Sequence, residues 1–144
     1  MEGVTVRPVE TAEDLATSVA IRHEVFVKGQ NVPQEREQDG TDAQCRIYLA
    51  YVDGQAIGTA RVYPAAENIG KIERMAVLDQ ARGRGIGQSI LDFIVEDMRQ
   101  QGVSVARLES QVHAIPFYEK AGFKAFGEEF MDAGIPHRKM EIEL

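Results

Sequence analysis

A single cysteine in 144 residues, Cys45, excludes an internal disulfide and a thiolate metal cluster. It stands ahead of an apolar run, so a structural role is expected rather than a nucleophilic one, and no metal site is expected. No apolar stretch approaches the roughly 20 residues of a membrane span. The opening Met1-Glu2-Gly3-Val4-Thr5 lacks the basic and apolar regions of a signal peptide, which leads us to expect a cytoplasmic protein with no membrane partner. Positive charge is scarce as well. With 16 Lys and Arg against 23 Asp and Glu, the formal net charge is −7. That balance argues against nucleic acid as the partner, since phosphate backbones need a basic face, and it is mildly compatible with a cationic acceptor such as an amine. The remainder is ordinary: 44% hydrophobic and 27% charged residues, enough for one domain over residues 1–144 with one substantial core.

The chain is organised around Gln80-Ala81-Arg82-Gly83-Arg84-Gly85-Ile86-Gly87. Lys71 to Val77 before it reads as a strand. Ile86, Ile90, Ile94 and Met98 after it fall at helical spacing, with Leu91, Phe93 and Val95 widening the apolar face. Alternating glycines let the backbone curl so that several N–H groups converge on an anion, and the helix adds its N-terminal dipole. Arg82 and Arg84 bring positive charge to the same place. No G-K-[ST] follows, so this is not a Walker loop, and the spacing differs from the dinucleotide fingerprint. A plain glycine turn with two solvated arginines competes with a phosphate site on these residues alone.

Elsewhere, Val4–Val9 reads as a first strand, and Thr11 with Asp14 as the cap of a helix running to about Val27. Lys28 to Gln44 is polar and acidic, holding Glu35, Glu37, Asp39 and Asp42. It is either a solvated loop or a flap that shapes a substrate site. Arg46–Val52 and Gln55–Tyr63 form a hairpin about Asp53-Gly54, and Pro64–Gly70 reads as a loop. The fourth strand, the glycine-turn helix and a fifth strand at Val103–Glu109 make a parallel unit. A short helix from His113 or Ala114 carries Pro116, Phe117, Tyr118 and Ala121 and stops at Gly122. Phe123–Met131 is a strand, Gly134-Ile135-Pro136 a turn, and Lys139–Leu144 the last strand.

Three stretches, taken in order, resemble the GNAT superfamily of N-acetyltransferases. They are Ile72-Glu73-Arg74-Met75-Ala76-Val77, then Arg82-Gly83-Arg84-Gly85-Ile86-Gly87, then Ile115-Pro116-Phe117-Tyr118-Glu119-Lys120-Ala121-Gly122-Phe123. The second matches the family's [QR]-x-x-G-x-[GA] signature at Arg82, Gly85 and Gly87. A narrower resemblance is to small bacterial members with R-x-x-V-F-V-x-E-Q and G-I-P-H-x-x-M, here Arg22 to Gln30 and Gly134 to Met140. Gly29 stands where that pattern has glutamate, so the acceptor of any relative is not carried over.

The resemblance implies a mixed α/β fold: a mainly antiparallel twisted sheet of about six to seven strands, with a parallel strand–helix–strand unit and flanking helices. It implies acetyl transfer from acetyl-CoA to a small-molecule or protein amine by direct attack in a ternary complex. It is compatible with a homodimer, which no residue demonstrates. Backbone groups of Met75, Ala76 and Val77 would pair with the pantetheine arm, and those of Arg82, Gly83, Arg84, Gly85, Ile86 and Gly87 would hold the pyrophosphate. Gln111 and His113 would lie near CoA, with solvated helix capping the competing reading for His113. Tyr118 is the candidate acid for the leaving thiolate. Glu73 is a candidate base, with a surface ion pair (for instance to Arg74) as its alternative. His137 is the other candidate base, because imidazole titrates near neutrality. Arg22 and Phe26 would border the acceptor. A non-catalytic acyl-CoA sensor is the runner-up, and a nucleotide-phosphate domain ranks last because the loop has no lysine and no evident magnesium ligand.

Overall fold

Alternation of apolar and polar residues sends strand side chains to opposite faces, and here it builds one seven-stranded sheet. The computed structural model describes residues 3–144; Met1 and Glu2, part of the stretch that lacks signal-peptide features, lie outside the described residues. The strands are β1 (Val4–Pro8), β2 (Arg46–Val52), β3 (Gln55–Ala66), β4 (Ile69–Val77), β5 (Val105–Gln111), β6 (Lys124–Asp132) and β7 (Ile135–Glu143). Their order is β1-β2-β3-β4-β5-β7-β6, antiparallel except for the parallel β4–β5 pair. The expected mixed fold is the one observed.

The helices cover the two faces. Helix α3 (Ile86–Gln100) lays Ile86, Ile90, Leu91, Ile94 and Met98 on a core that includes Tyr48, Ala50, Ile72 and Met140. Full burial of each such side chain contributes about 1.5–3 kcal/mol. Helix α1 (Ala12–Arg22) covers the opposite face, where Ile21 and Val25 meet Leu49 and Ala76. Thr11 caps it, its Oγ1 accepting from the Asp14 N–H at 3.0 Å. The helix does not run evenly to Val27: from His23 to Lys28 it widens into a π-helical stretch. Two short helices complete the set, α2 (Gln34–Glu37) and α4 (Ile115–Glu119).

Two expectations need correction. Pro64–Gly70 is not a loop. β3 continues to Ala66 and β4 begins at Ile69, with Asn68 turning at φ 64°. Pro64 is tolerated because it lies beyond the last β2 partner, Val62, where its missing N–H removes no ladder bond on that side. Gly134-Ile135-Pro136 likewise belongs mostly to β7, the turn being Ala133-Gly134. Pro136 precedes the first β5 pairing, His137 with Gln111. The acidic segment Lys28–Gln44, read as either a solvated loop or a flap, is largely exposed yet ordered: it contains α2 and a short 3₁₀ turn, Asp42–Gln44, it lines the cavity described below, and Glu37, Asp39 and Asp42 are tied to arginines.

Two irregularities of β4 position the site. Thr59 pairs with Ala76 and Arg61 with Glu73, so β4 carries an extra residue between them and Arg74 takes φ 56°. On the other side of β4, pairing to β5 covers only Ile69–Lys71 against Val105–Arg107. Beyond Lys71 the two parallel strands part.

Candidate functional site

Where β4 and β5 part, a cavity of about 490 Å³ opens. Its walls come from both strands, from Phe26, from Arg36 and Glu37 of α2, from Tyr118 of α4, and from Asp132, Ile135 and His137 at the β6–β7 hairpin. Glu73, Met75 and Gln111 also line it. The structure therefore brings together Phe26, Glu73, Met75, Gln111, Tyr118 and His137, residues scattered along the sequence.

Tyr118 sits half-buried, edge-on to Phe117 at 4.9 Å and to Phe123 at 6.2 Å between ring centroids. Burial pushes its phenol above the ordinary value, because the charged phenolate is disfavoured there. The hydroxyl stays protonated through the neutral range, the state an acid needs.

His137 lies in strand rather than in a turn, 9% exposed and stacked on Phe130 at 5.8 Å. That stacking depends on register. Phe126 pairs with Lys139 and Phe130 with His137, so Gly127–Glu129 bulge opposite Arg138, whose guanidinium donates to the Gly127 carbonyl at 2.9 and 3.2 Å. His137 Nδ1 lies 2.7 Å from the Ile135 carbonyl. A carbonyl can only accept, so Nδ1 carries the proton and the neutral ring keeps its lone pair on Nε2. Nε2 has no hydrogen-bond partner among the described residues and is not sealed from solvent.

Glu73 faces the same cavity, but both its oxygens are engaged: Oε1 by Arg61 at 3.0 Å and Oε2 by Lys71 at 3.2 Å. Its ion-pair partners are these two residues rather than Arg74. Arg74 turns instead to Glu37 and Asp39. Arg22 also departs from expectation. It is 1% exposed and does not line the cavity. Nε meets Glu37 Oε2 at 2.9 Å and Nη1 meets Asp42 Oδ1 at 2.8 Å, so it braces the segment behind the wall. Phe26 lines the cavity.

The glycine turn lies beside the cavity rather than in its lining. Gly83 and Gly85 take φ 76° and 75°, the left-handed region that glycine occupies without strain. A Cβ at Gly83 would meet nothing within 4 Å, so the turn's outer surface is open. Helix α3 starts without a side-chain cap, which leaves its first N–H groups for an external acceptor. Arg82 donates to the Val77 carbonyl at 3.2 Å and pairs with Asp79 at 2.9 Å, tying the turn to the end of β4. Ile86 contributes backbone only, its side chain being core. Gly87 sits against Phe117, 3.5 Å from where a Cβ would be. Ala76 and Val77 continue β4 toward the turn. These features fit a diphosphate joined to an extended arm: an open nest, a free helix end, and a strand edge with no strand beside it. Gln111 and His113 bond to each other at the end of β5. Only Gln111 reaches the cavity; His113 is exposed.

Cys45 is half-buried with its thiol pushed up by burial, which suits the expected structural role. Lys71, Arg74, Glu109, Arg36, Glu37 and Asp132 complete the charged lining. Of these, the sequence singled out only Glu37, within the acidic run, and Arg74, as the alternative partner of Glu73. Arg61, inside the small and apolar run Gly58-Thr59-Ala60-Arg61-Val62, was the available signal: an arginine buried in a strand requires acids from elsewhere. Among the described residues, no helix is long and apolar enough to cross a membrane.

Comparison with known proteins agrees. Residues 6–144 match the family described as the acetyltransferase (GNAT) domain. The chain is 37% identical over 129 residues to the uncharacterized N-acetyltransferase YjcF of Bacillus subtilis, covering 89% of this chain and 91% of that one. An acyl-CoA N-acyltransferase structure from Pseudomonas aeruginosa superposes with TM-score 0.84 at 27% identity, over 96% of this chain and 97% of the other. At 17% identity, a GNAT structure from Elizabethkingia anophelis with acetyl-CoA bound shares the fold, with TM-score 0.78 over 100% of both chains.

Proposed function

Because the chain belongs to the GNAT acetyltransferase family, whose acyl donor is acetyl-CoA, we propose that it moves an acetyl group from acetyl-CoA to a primary amine by direct attack in a ternary complex. The observation that carries this reading is the parting of β4 and β5. It opens, at the end of the strand that leads into the glycine turn, a cavity lined by His137, whose Nε2 has no partner among the described residues, and by Tyr118, whose phenol stays protonated.

The bound donor supplies a thioester whose thiolate can leave. The chain's residues do the rest. The N–H groups of the turn from Arg82 to Gly87 hold the pyrophosphate, with the α3 dipole assisting, and the β4 edge at Met75–Val77 pairs with the pantetheine arm. Nε2 of His137 takes the proton from the acceptor amine, and the Tyr118 hydroxyl gives one to the departing thiolate sulfur. His137 is preferred to Glu73 as base for a physical reason: each Glu73 oxygen already faces a cation, Arg61 or Lys71, whereas Nε2 has no partner among the described residues.

The test is a screen for thiol release from acetyl-CoA across small primary amines and peptide amines. One amine class is expected to stimulate release well above the rate with water alone. Binding of acetyl-CoA with no release for any amine would replace this reading with that of an acyl-CoA sensor.

A further inference from the structure

Arg74 is a non-glycine residue in the left-handed region, φ 56°, at the bulge of β4. Such a conformation is strained for an L side chain and persists only when the surroundings hold it. The holders lie across the cavity wall on the acidic segment. Arg74 Nε donates to Glu37 Oε2 at 3.1 Å, and Nη2 donates to the Arg36 carbonyl at 3.1 Å and to Asp39 Oδ2 at 3.3 Å. Glu37 is itself 1% exposed and fixed by Arg22 from α1. The chain of contacts is thus α1, then α2, then the bulge. The residue after the bulge is Met75, the first of the donor-pairing stretch.

We propose that Arg74 is a positioning residue that couples the segment Gln34–Gln44 to the donor-binding end of β4. The proposal rests on the reading of Met75–Val77 as the strand that pairs with the donor. The geometry has two consequences. The donor binds best when the bulge is held, so the intact α2 contact raises donor affinity. By reciprocity, donor binding steadies Gln34–Gln44, which carries the Arg36 and Glu37 wall of the cavity, although those residues need not touch the donor.

Arg74→Gly relieves the backbone strain and removes the guanidinium fork. Arg74→Lys keeps the charge and the strain but cannot span the same three acceptors. Acetyl-CoA affinity is read by calorimetry, and amide exchange of residues 34–44 by mass spectrometry with and without acetyl-CoA. In the wild type, acetyl-CoA is expected to slow exchange across 34–44 by about fivefold or more, a normal size for coupled sites. In Arg74→Gly, affinity is expected to fall by about fivefold or more and the donor-induced protection to vanish, with Arg74→Lys failing to restore it. Unchanged affinity, donor-induced protection that persists in Arg74→Gly, or full rescue by lysine would overturn the proposal. If Arg74→Gly does not fold, Arg74→Lys carries the same test. A wild type that binds no acetyl-CoA would instead remove the donor-site reading, and this coupling with it.

Discussion

The two faces of the sheet are held by opposite means. On one, α3 buries Ile86, Ile90, Leu91, Ile94 and Met98 in an apolar core. On the other, beside the small apolar cluster of Ile21, Val25, Leu49 and Ala76, α1 and α2 meet the sheet through buried polar and charged groups. Ser18 bonds Thr59 at 2.6 Å, and buried Arg22 and Arg61 gather Glu37, Asp39, Asp42 and Glu73. The apolar face is specified by volume and resists charge. The charged face is specified residue by residue, since each buried charge depends on its partners. The glycine turn leads into α3, whose N-terminus the apolar face anchors. The α2 wall of the cavity hangs from the charged face. One molecule therefore joins a proposed donor platform on an apolar core to a wall set by ion pairs.

The sharpest way to break this contrast is Arg22→Met, which leaves Glu37 buried with Arg74 as its remaining cation. We expect a loss of about 3–5 kcal/mol in denaturant unfolding, comparable with the roughly 2–5 kcal/mol expected for Ile90→Ala on the other face. A loss below about 1 kcal/mol would show that the charged face does not hold α2. The same network predicts acid sensitivity. Burial pushes the Asp39 and Asp42 carboxyls up, but hydrogen bonds outweigh it and hold both below the ordinary carboxylate range. Arg61 and Thr41 supply them at Asp39, and Arg22 and Arg61 at Asp42. Groups depressed in the folded state contribute stability that is complete above about pH 4 and drains away as pH falls below it. Thermal unfolding from pH 7 to pH 2 should show that loss confined to the acid end.

Next in size is the chemistry. His137→Gln should lower kcat by about 10²–10⁴-fold, while Glu73→Gln should act more on stability than on rate. The reverse pattern would assign the base to Glu73. On the donor side, Gly83→Ala forces a Cβ into φ 76° with no steric clash, so its effect is conformational: about 1 kcal/mol of stability and a matching loss of donor affinity. Smallest is Arg36→Gln. The Arg36–Asp132 pair spans the cavity mouth at 3.0 Å, but the side chains are 56% and 44% exposed, and such pairs contribute about 0–1 kcal/mol. Stability should hardly move, and any change should appear in the acceptor KM.

The contrast between the faces also explains what could be read from sequence. The glycine turn and α3 were legible because backbone chemistry demands particular residues at particular spacing: glycines in the turn and apolar residues every three or four along the helix. The charged wall was not. Arg22 and Glu37 are 15 residues apart, Arg36 and Asp132 are 96 apart, and each is an ordinary charged residue until the fold pairs them. The segment Lys28–Gln44 stayed open between a solvated loop and a flap because its partners, Arg22, Arg61 and Arg74, lie on other elements. His137 looked like a turn residue because Pro136 suggested a break. Whether a proline breaks a strand depends on which neighbour lies beside it, and local sequence does not record that.

The most direct test compares wild type with Tyr118→Phe, titrating acetyl-CoA by calorimetry and then measuring thiol release with the amine that the screen selects. Both proteins are expected to bind acetyl-CoA with similar affinity, and only the wild type to release CoA at an appreciable rate, the variant being slower by about 10² or more. Release by Tyr118→Phe at the wild-type rate would contradict the assignment of the acid. Absence of acetyl-CoA binding by the wild type would contradict the donor site on which everything else depends.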